Sequence, residues 1–205
     1  MTIDFKEVEA WVASFFASDN SGHDLAHILR VVSNSQKIGK LEGLTPAELH
    51  DARLLAYLHE MLDKKFFPDA DLAHQQLVTQ LTKWNIVGEE QEKLITSIGQ
   101  ISFSKRLPDN PVSLIVKVVQ DADLLEAIGA IGIARTFMYG ATRNTPIYDE
   151  KKVGVPNSSI IQHFYDKLLK ISGLMSTAGG QKLAEKPQAF MESFLEEFYR
   201  EWEGR

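Results

Sequence analysis

Apolar residues recur at every third or fourth position along almost the whole chain, and no segment alternates cleanly between apolar and polar. That period restricts the chain to packed helices. Phe5, Val8, Trp11, Val12, Phe15 and Phe16 outline a first amphipathic helix, broken at Asn20-Ser21-Gly22. A second is expected from about Asp24 to Leu41, with Leu25, Ile28, Leu29, Val32 and Ile38 inward, Asp24 as its cap and Gly43 beyond its end. Thr45-Pro46-Ala47-Glu48 spells a capping box with proline at the first helical position, so a third helix runs from there to near Met61. Asp63 to Pro68 reads as a loop. Helices follow near 70–83 and 88–99. Asn110-Pro111 opens another through Val112, Leu114, Ile115, Val118 and Val119 into Asp121-Ala122-Asp123, and the apolar pattern continues to Phe137. Residues 142–158 lack periodicity and contain Pro146, Gly154 and Pro156, which predicts a long mobile loop. Two last helices are expected near 159–171 and 187–202. No repeat or linker divides the chain, so residues 1–205 read as one all-α domain, an irregular multi-helix bundle.

Composition narrows the function classes. The chain has 205 residues, 44% of them hydrophobic, which suffices for a core. Its formal net charge of -6 argues against broad electrostatic binding to nucleic acid, so no nucleic-acid partner is expected. A helical DNA-binding or interaction protein is disfavoured for the same reason. No apolar run approaches the length of a membrane span, and the N-terminal stretch mixes acids into its apolar residues, unlike a signal peptide. No membrane partner is expected, and the location expected is the cytoplasm. With no cysteine, a metal must be held by His and carboxylate, which suits Mn, Fe, Zn or Mg.

Such donors are present inside the apolar pattern. His27 and His59 lie on separate helices, Glu60 follows His59 directly, and Asp121-Ala122-Asp123 lies on a later one. A His, His-Glu and Asp set supplies enough ligands for one divalent ion. On a continuous helix His59 and Glu60 would point about 100° apart, so they would meet only at an ion between neighbouring helices.

The residues around these donors resemble a known family. Gly22-His23-Asp24-Leu25-Ala26-His27-Ile28-Leu29-Arg30-Val31 resembles the opening motif of HD-domain hydrolases, GHDxxHxxRV. Leu55-Ala56-Tyr57-Leu58-His59-Glu60-Met61-Leu62-Asp63 is similar to their second motif, LLHDxxD. The stretch from Val119 to Arg135 resembles the final aspartate motif, and Ile161 to Leu169 resembles one bacterial branch, similar to metal-dependent nucleotide pyrophosphohydrolases. The resemblance implies an all-helical fold with one metal site and phosphohydrolase activity. By position, the metal ligands are His27, His59, Glu60 and Asp123, and Asp63 is a polar catalytic group. The ion would be manganese first, with magnesium, iron, nickel or zinc as the other candidates. The partner implied is a small phosphorylated substrate, a nucleotide or related phosphoester; homo-oligomeric assembly is left open.

One residue departs from the family. Glu60 stands where an aspartate is usual, and its extra methylene is on the order of 1.5 Å. Either the local backbone takes up that length, or the chain is an attenuated HD scaffold that binds a nucleotide, or regulates, without turning it over. In an intact site Asp63 would orient or deprotonate the attacking water. His23, Arg30, Lys64, Lys65, Arg135, His163 and Lys167 are the candidate substrate contacts, the last two four residues apart on one helix face.

Overall fold

The computed structural model describes residues 3–16, 24–101 and 112–204. The interruption at Asn20-Ser21-Gly22, the residue His23 and the start at Asn110-Pro111 lie outside the described residues. Among the described residues there are nine α-helices and no strand: α1 (Phe5–Phe16), α2 (Leu25–Leu41), α3 (Pro46–Leu58), α4 (Ala70–Lys83), α5 (Glu89–Ile101), α6 (Leu114–Leu125), α7 (Gly129–Thr142), α8 (Ile160–Asp166) and α9 (Ala178–Trp202). No helix among them is long and apolar enough to cross a membrane.

The caps expected from sequence form. Asp24 accepts from the backbone N–H of His27 at 2.9 Å, which places that histidine in the first turn of α2. Thr45 and Glu48 make the reciprocal capping box of α3. Glu89, Glu90 and Glu92 occupy the first turn of α5, where the helix dipole favours them. Helix α2 is the hub. It packs against α3 and α6, and α9 closes over α2, α6 and α7. Ile28, Val31 and Ile38 of α2 meet Leu55 and Leu58 of α3 and Val118, Val119 and Ala122 of α6 in one buried core.

Four boundaries differ from the sequence expectation. The helix expected near 159–171 ends at Asp166, where Lys167 leaves helical geometry at φ -138°, and tighter 3-10 turns follow at Leu168–Lys170 and Ser172–Leu174. Helix α3 ends at Leu58, before Met61. His59 is its C-cap, and Met61 and Asp63 donate to the carbonyls of Leu58 and Glu60 in tighter three-residue turns. The apolar run from Val112 to Phe137 is two helices. Ala127 and Ile128 bond back to Leu124 and Leu125, and Gly129 takes φ +70° to begin α7. That glycine is also a point of close approach, since a Cβ there would lie 3.0 Å from Cβ of Pro187. The last helix starts at Ala178, nine residues ahead of the start expected at Pro187. Gly179-Gly180 and Pro187 all look like helix breakers in sequence. However, Thr177 caps the helix by accepting from Gly180, and the two glycines are buried against neighbours that leave no room for a side chain.

Asp121 explains that close approach. Fully buried, it accepts from the backbone N–H groups of Ser176 and Thr177 and from the Thr177 hydroxyl at 2.7–3.0 Å. It thereby ties α6 to the start of α9. A Cβ on Gly180 would come within 2.5 Å of its carboxylate.

The segment read as a long loop is held at several points. Trp202 donates to Glu150 at 2.7 Å, and Gln162 and Asp166 accept from the backbone N–H groups of Gly154 and Asn157. The Tyr148 ring meets Phe198, Tyr199 and Trp202 edge-on. Asn157, at φ +57°, is one of three non-glycine residues with a left-handed backbone among the described residues, all of them asparagines.

Candidate metal centre

The ends of α2, α3 and α6 bring four donor atoms together. His27 projects from the first turn of α2, His59 from the C-cap of α3, Glu60 from the turn after it, and Asp123 from the last turn of α6. His27 Nε2 lies 3.6 Å from Glu60 Oε1 and 3.5 Å from Asp123 Oδ1. His59 Nε2 lies 3.7 Å and 3.9 Å from the same two oxygens. Two donors each ~2.1 Å from a shared ion at a tetrahedral angle are roughly 3.4 Å apart, so the spacing suits one divalent cation. His27, His59 and Glu60 are buried; Asp123 is partly exposed and opens the group to solvent.

The hydrogen bonding of His59 fixes its chemistry. Its Nδ1 lies 2.7 Å from the carbonyl oxygen of Ala56, and a carbonyl can only accept, so Nδ1 carries the proton. In the neutral imidazole the lone pair then falls on Nε2. It is buried and meets no hydrogen-bond partner among the described residues, which suits a metal ligand and little else. Glu60 reaches the pair because α3 has already ended. The tight turn after His59 turns the longer side chain back between the imidazoles, which accommodates the extra methylene.

His27 differs electrostatically. Burial opposes its charge, but the carboxylates of Glu126 and Glu60, each 3.6 Å away, and the nearby charge of Asp123 outweigh that, and its pKa is pushed up to about 9. The carboxylates thus favour a proton on His27. A metal would replace that proton.

His59, Glu60 and Asp123 line a cleft of about 710 Å³, a volume typical of small-molecule sites, with His27 buried behind them. Asp63 and Lys65 line it beside Glu60. Asp63 accepts from the Lys65 backbone N–H at 2.8 Å through one oxygen, which leaves the other for the cleft. Helix α7 contributes Arg135, Tyr139 and Arg143 to the lining, and His163 and Lys167 join them. Burial and the neighbouring Lys167 hold the His163 pKa below its usual value despite Asp166, so this imidazole is neutral near pH 7.

Two expected substrate contacts fall elsewhere. Arg30 does not line the cleft; its Nε donates to Glu126 at 2.6 Å. Lys64 is exposed and is not among the lining residues. His23 lies outside the described residues. Conversely, Tyr139 and Arg143 were not anticipated. Arg135, Tyr139 and Arg143 are spaced i, i+4, i+8, as are the small or slim residues Gly132, Thr136 and Gly140, and that stripe was the available signal. Glu126 was also missed. It sits one turn past Asp123 and contacts His27 from behind, with Oε2 3.6 Å from Nδ1.

No family model matches the chain. The chain is 32% identical to the uncharacterised Bacillus subtilis protein YpgQ over 201 residues, 97% of this chain and 94% of that protein. The crystal structure of YpgQ in complex with ADP superposes with a TM-score of 0.78 at 31% identity, covering 96% of this chain and 93% of that one. A crystal structure from Lactobacillus plantarum matches over the full length of both chains with a TM-score of 0.81 and 32% identity. An HD-superfamily hydrolase from Bacillus thuringiensis has a TM-score of 0.80 and 31% identity, with 98% and 97% of the two chains covered.

Proposed function

This chain belongs to the HD superfamily of hydrolases, and from that premise we propose that it is a metal-dependent phosphohydrolase acting on a nucleotide or a related phosphoanhydride. The observation that carries the proposal is that the cleft lined by three of the four clustered donors is also lined by Lys65, Arg135, Arg143 and Lys167.

His27, His59, Glu60 and Asp123 would hold one divalent ion, manganese first. When bound, such an ion supplies an acidified water and polarises a phosphoryl oxygen. The remaining work falls to side chains. Asp63, with one oxygen held by the Lys65 backbone, keeps a second oxygen to orient the attacking water and accept its proton. Arg135, Arg143, Lys65 and Lys167 neutralise phosphate charge along the cleft. Neutral His163 donates to a phosphate oxygen without adding charge.

Two observations favour a nucleotide over a simple phosphoester. Tyr139 is 55% exposed on the cleft wall, with the Arg143 guanidinium 5.0 Å over its ring, an arrangement suited to stacking a base. The related YpgQ was crystallised with ADP.

The test is phosphate and pyrophosphate release from nucleoside mono-, di- and triphosphates with manganese present. The unaltered protein should turn over at least one of them, and His59→Ala should abolish the activity. Equal activity in that variant would overturn the assignment.

A further inference from the structure

Glu126 is buried at 4% exposure directly behind the metal-binding group, and nothing in the proposed chemistry uses it. Its Oε2 faces His27 Nδ1 across 3.6 Å, and the same oxygen accepts from Arg30 Nε at 2.6 Å. Its backbone carbonyl accepts from Arg135 Nη1 at 3.2 Å. Arg30 is therefore turned inward onto a carboxylate, with no part in the cleft wall.

We propose that Arg30 and Glu126 are positioning residues that hold His27 in the one tautomer able to bind metal. The proposal rests on the metal-dependent reading above. A neutral imidazole carries one proton on either nitrogen. If the proton sat on Nε2, His27 would present a donor where it must present a lone pair. Once an ion engages Nε2 together with Glu60 and Asp123, Glu126 is the carboxylate that remains opposite Nδ1, 3.6 Å away, and it favours the imidazole's one proton there. His59 reaches the same tautomer through the Ala56 carbonyl. The two imidazoles are thus oriented by different acceptors, one a fixed backbone dipole and one a side chain.

The side-chain acceptor needs its own support, and Arg30 supplies it. A buried carboxylate beside Asp123 and Glu60 adds negative charge to an acidic group, and the guanidinium offsets that charge while fixing the rotamer. Arg30 side chain is 38% exposed, so its replacement leaves the core intact. Arg30 thereby acts on the metal at two removes, through Glu126 and then His27.

The experiment measures manganese affinity by titration calorimetry for the unaltered chain, Glu126→Ala, Glu126→Gln and Arg30→Met. It is paired with the ¹H–¹⁵N spectrum of the histidine side chains in the zinc-loaded proteins. Loss of an outer partner of a metal-bound histidine costs about 10- to 100-fold in affinity. Glu126→Ala should fall in that range and lose or shift the His27 Nδ1–H signal. Glu126→Gln, which retains an acceptor oxygen, should recover part of the affinity, and Arg30→Met should weaken binding with its fold preserved by circular dichroism. If Glu126→Ala and Arg30→Met both bind within twofold of the unaltered chain and keep the signal, the positioning role is overturned while the metal reading stands. If the unaltered chain takes up no metal, both fail together.

Discussion

Glu60 Oε1 lies 3.6 Å from His27 Nε2, the same approach that Asp123 makes to that nitrogen within 0.1 Å. The glutamate thus reaches His27 as closely as Asp123 does despite its extra methylene, with α3 stopping at Leu58 and a tight turn beyond His59. The family-typical residue should be worse here. Glu60→Asp withdraws the oxygen by on the order of 1.5 Å, and metal sites tolerate only a few tenths of an ångström. Manganese affinity should fall about tenfold or more, by calorimetry. A gain in affinity or turnover would mean that the natural site is attenuated.

Proton release should accompany metal uptake. In the metal-free protein His27 has its pKa raised to about 9, above the ordinary value of 6.5, so it holds a proton at neutral pH. Near pH 7.5 binding should release roughly one proton per ion. Calorimetry in two buffers of different ionisation enthalpy measures this, and a binding heat independent of buffer would refute it. The same shift sets a stability trend. A group whose pKa is higher folded than unfolded stabilises fully below its unfolded value, and that contribution is lost as pH rises through the folded one. Metal-free protein should lose unfolding free energy between about pH 6.5 and 9, followed by urea titration, and metal should reduce the loss.

Asp121 and Asp123 are two residues apart but have separate tasks. Asp121→Ala leaves the first donors of α9 without their acceptor in a fully buried place, a cost of roughly 2–4 kcal/mol. The melting temperature should drop by several degrees while manganese affinity in the folded protein stays within a few-fold. Asp123→Ala should do the reverse.

The cationic wall should act on binding more than on turnover. Arg143 caps the end of α7 and lines the cleft, outside the four-donor group. Arg143→Ala should raise KM about tenfold with kcat little changed, the pattern expected when ground-state and transition-state contacts are lost equally. Steady-state kinetics on the preferred nucleotide separates the two parameters. A comparable fall in kcat would place Arg143 at the reacting phosphate.

Much of this was legible in the sequence because local rules and the global fold agree there. Asp24 and the Thr45–Glu48 box announce their helices in plain capping chemistry, and the caps deliver His27 and the start of α3 where the motifs imply. The boundaries that were misread are those where tertiary contacts override local preference. Gly179-Gly180 begins a helix only because Asp121 and Leu41 crowd it and Thr177 caps it, and none of that is local. Arg30 was assigned to the substrate because a cation beside a phosphate site is the simplest expectation. Its partner Glu126 is 96 positions away, and only the packing of α2 on α6 reveals the pair. The α7 stripe was written in the sequence but hidden within an apolar run that reads equally well as core.

The most direct measurement is the metal content of the purified protein after incubation with manganese and desalting, alongside His59→Ala and His27→Ala. One ion per chain in the unaltered protein, lost in both variants, is the predicted result. An unaltered chain that retains none, or variants that retain as much, would contradict the metal centre on which the proposed chemistry depends.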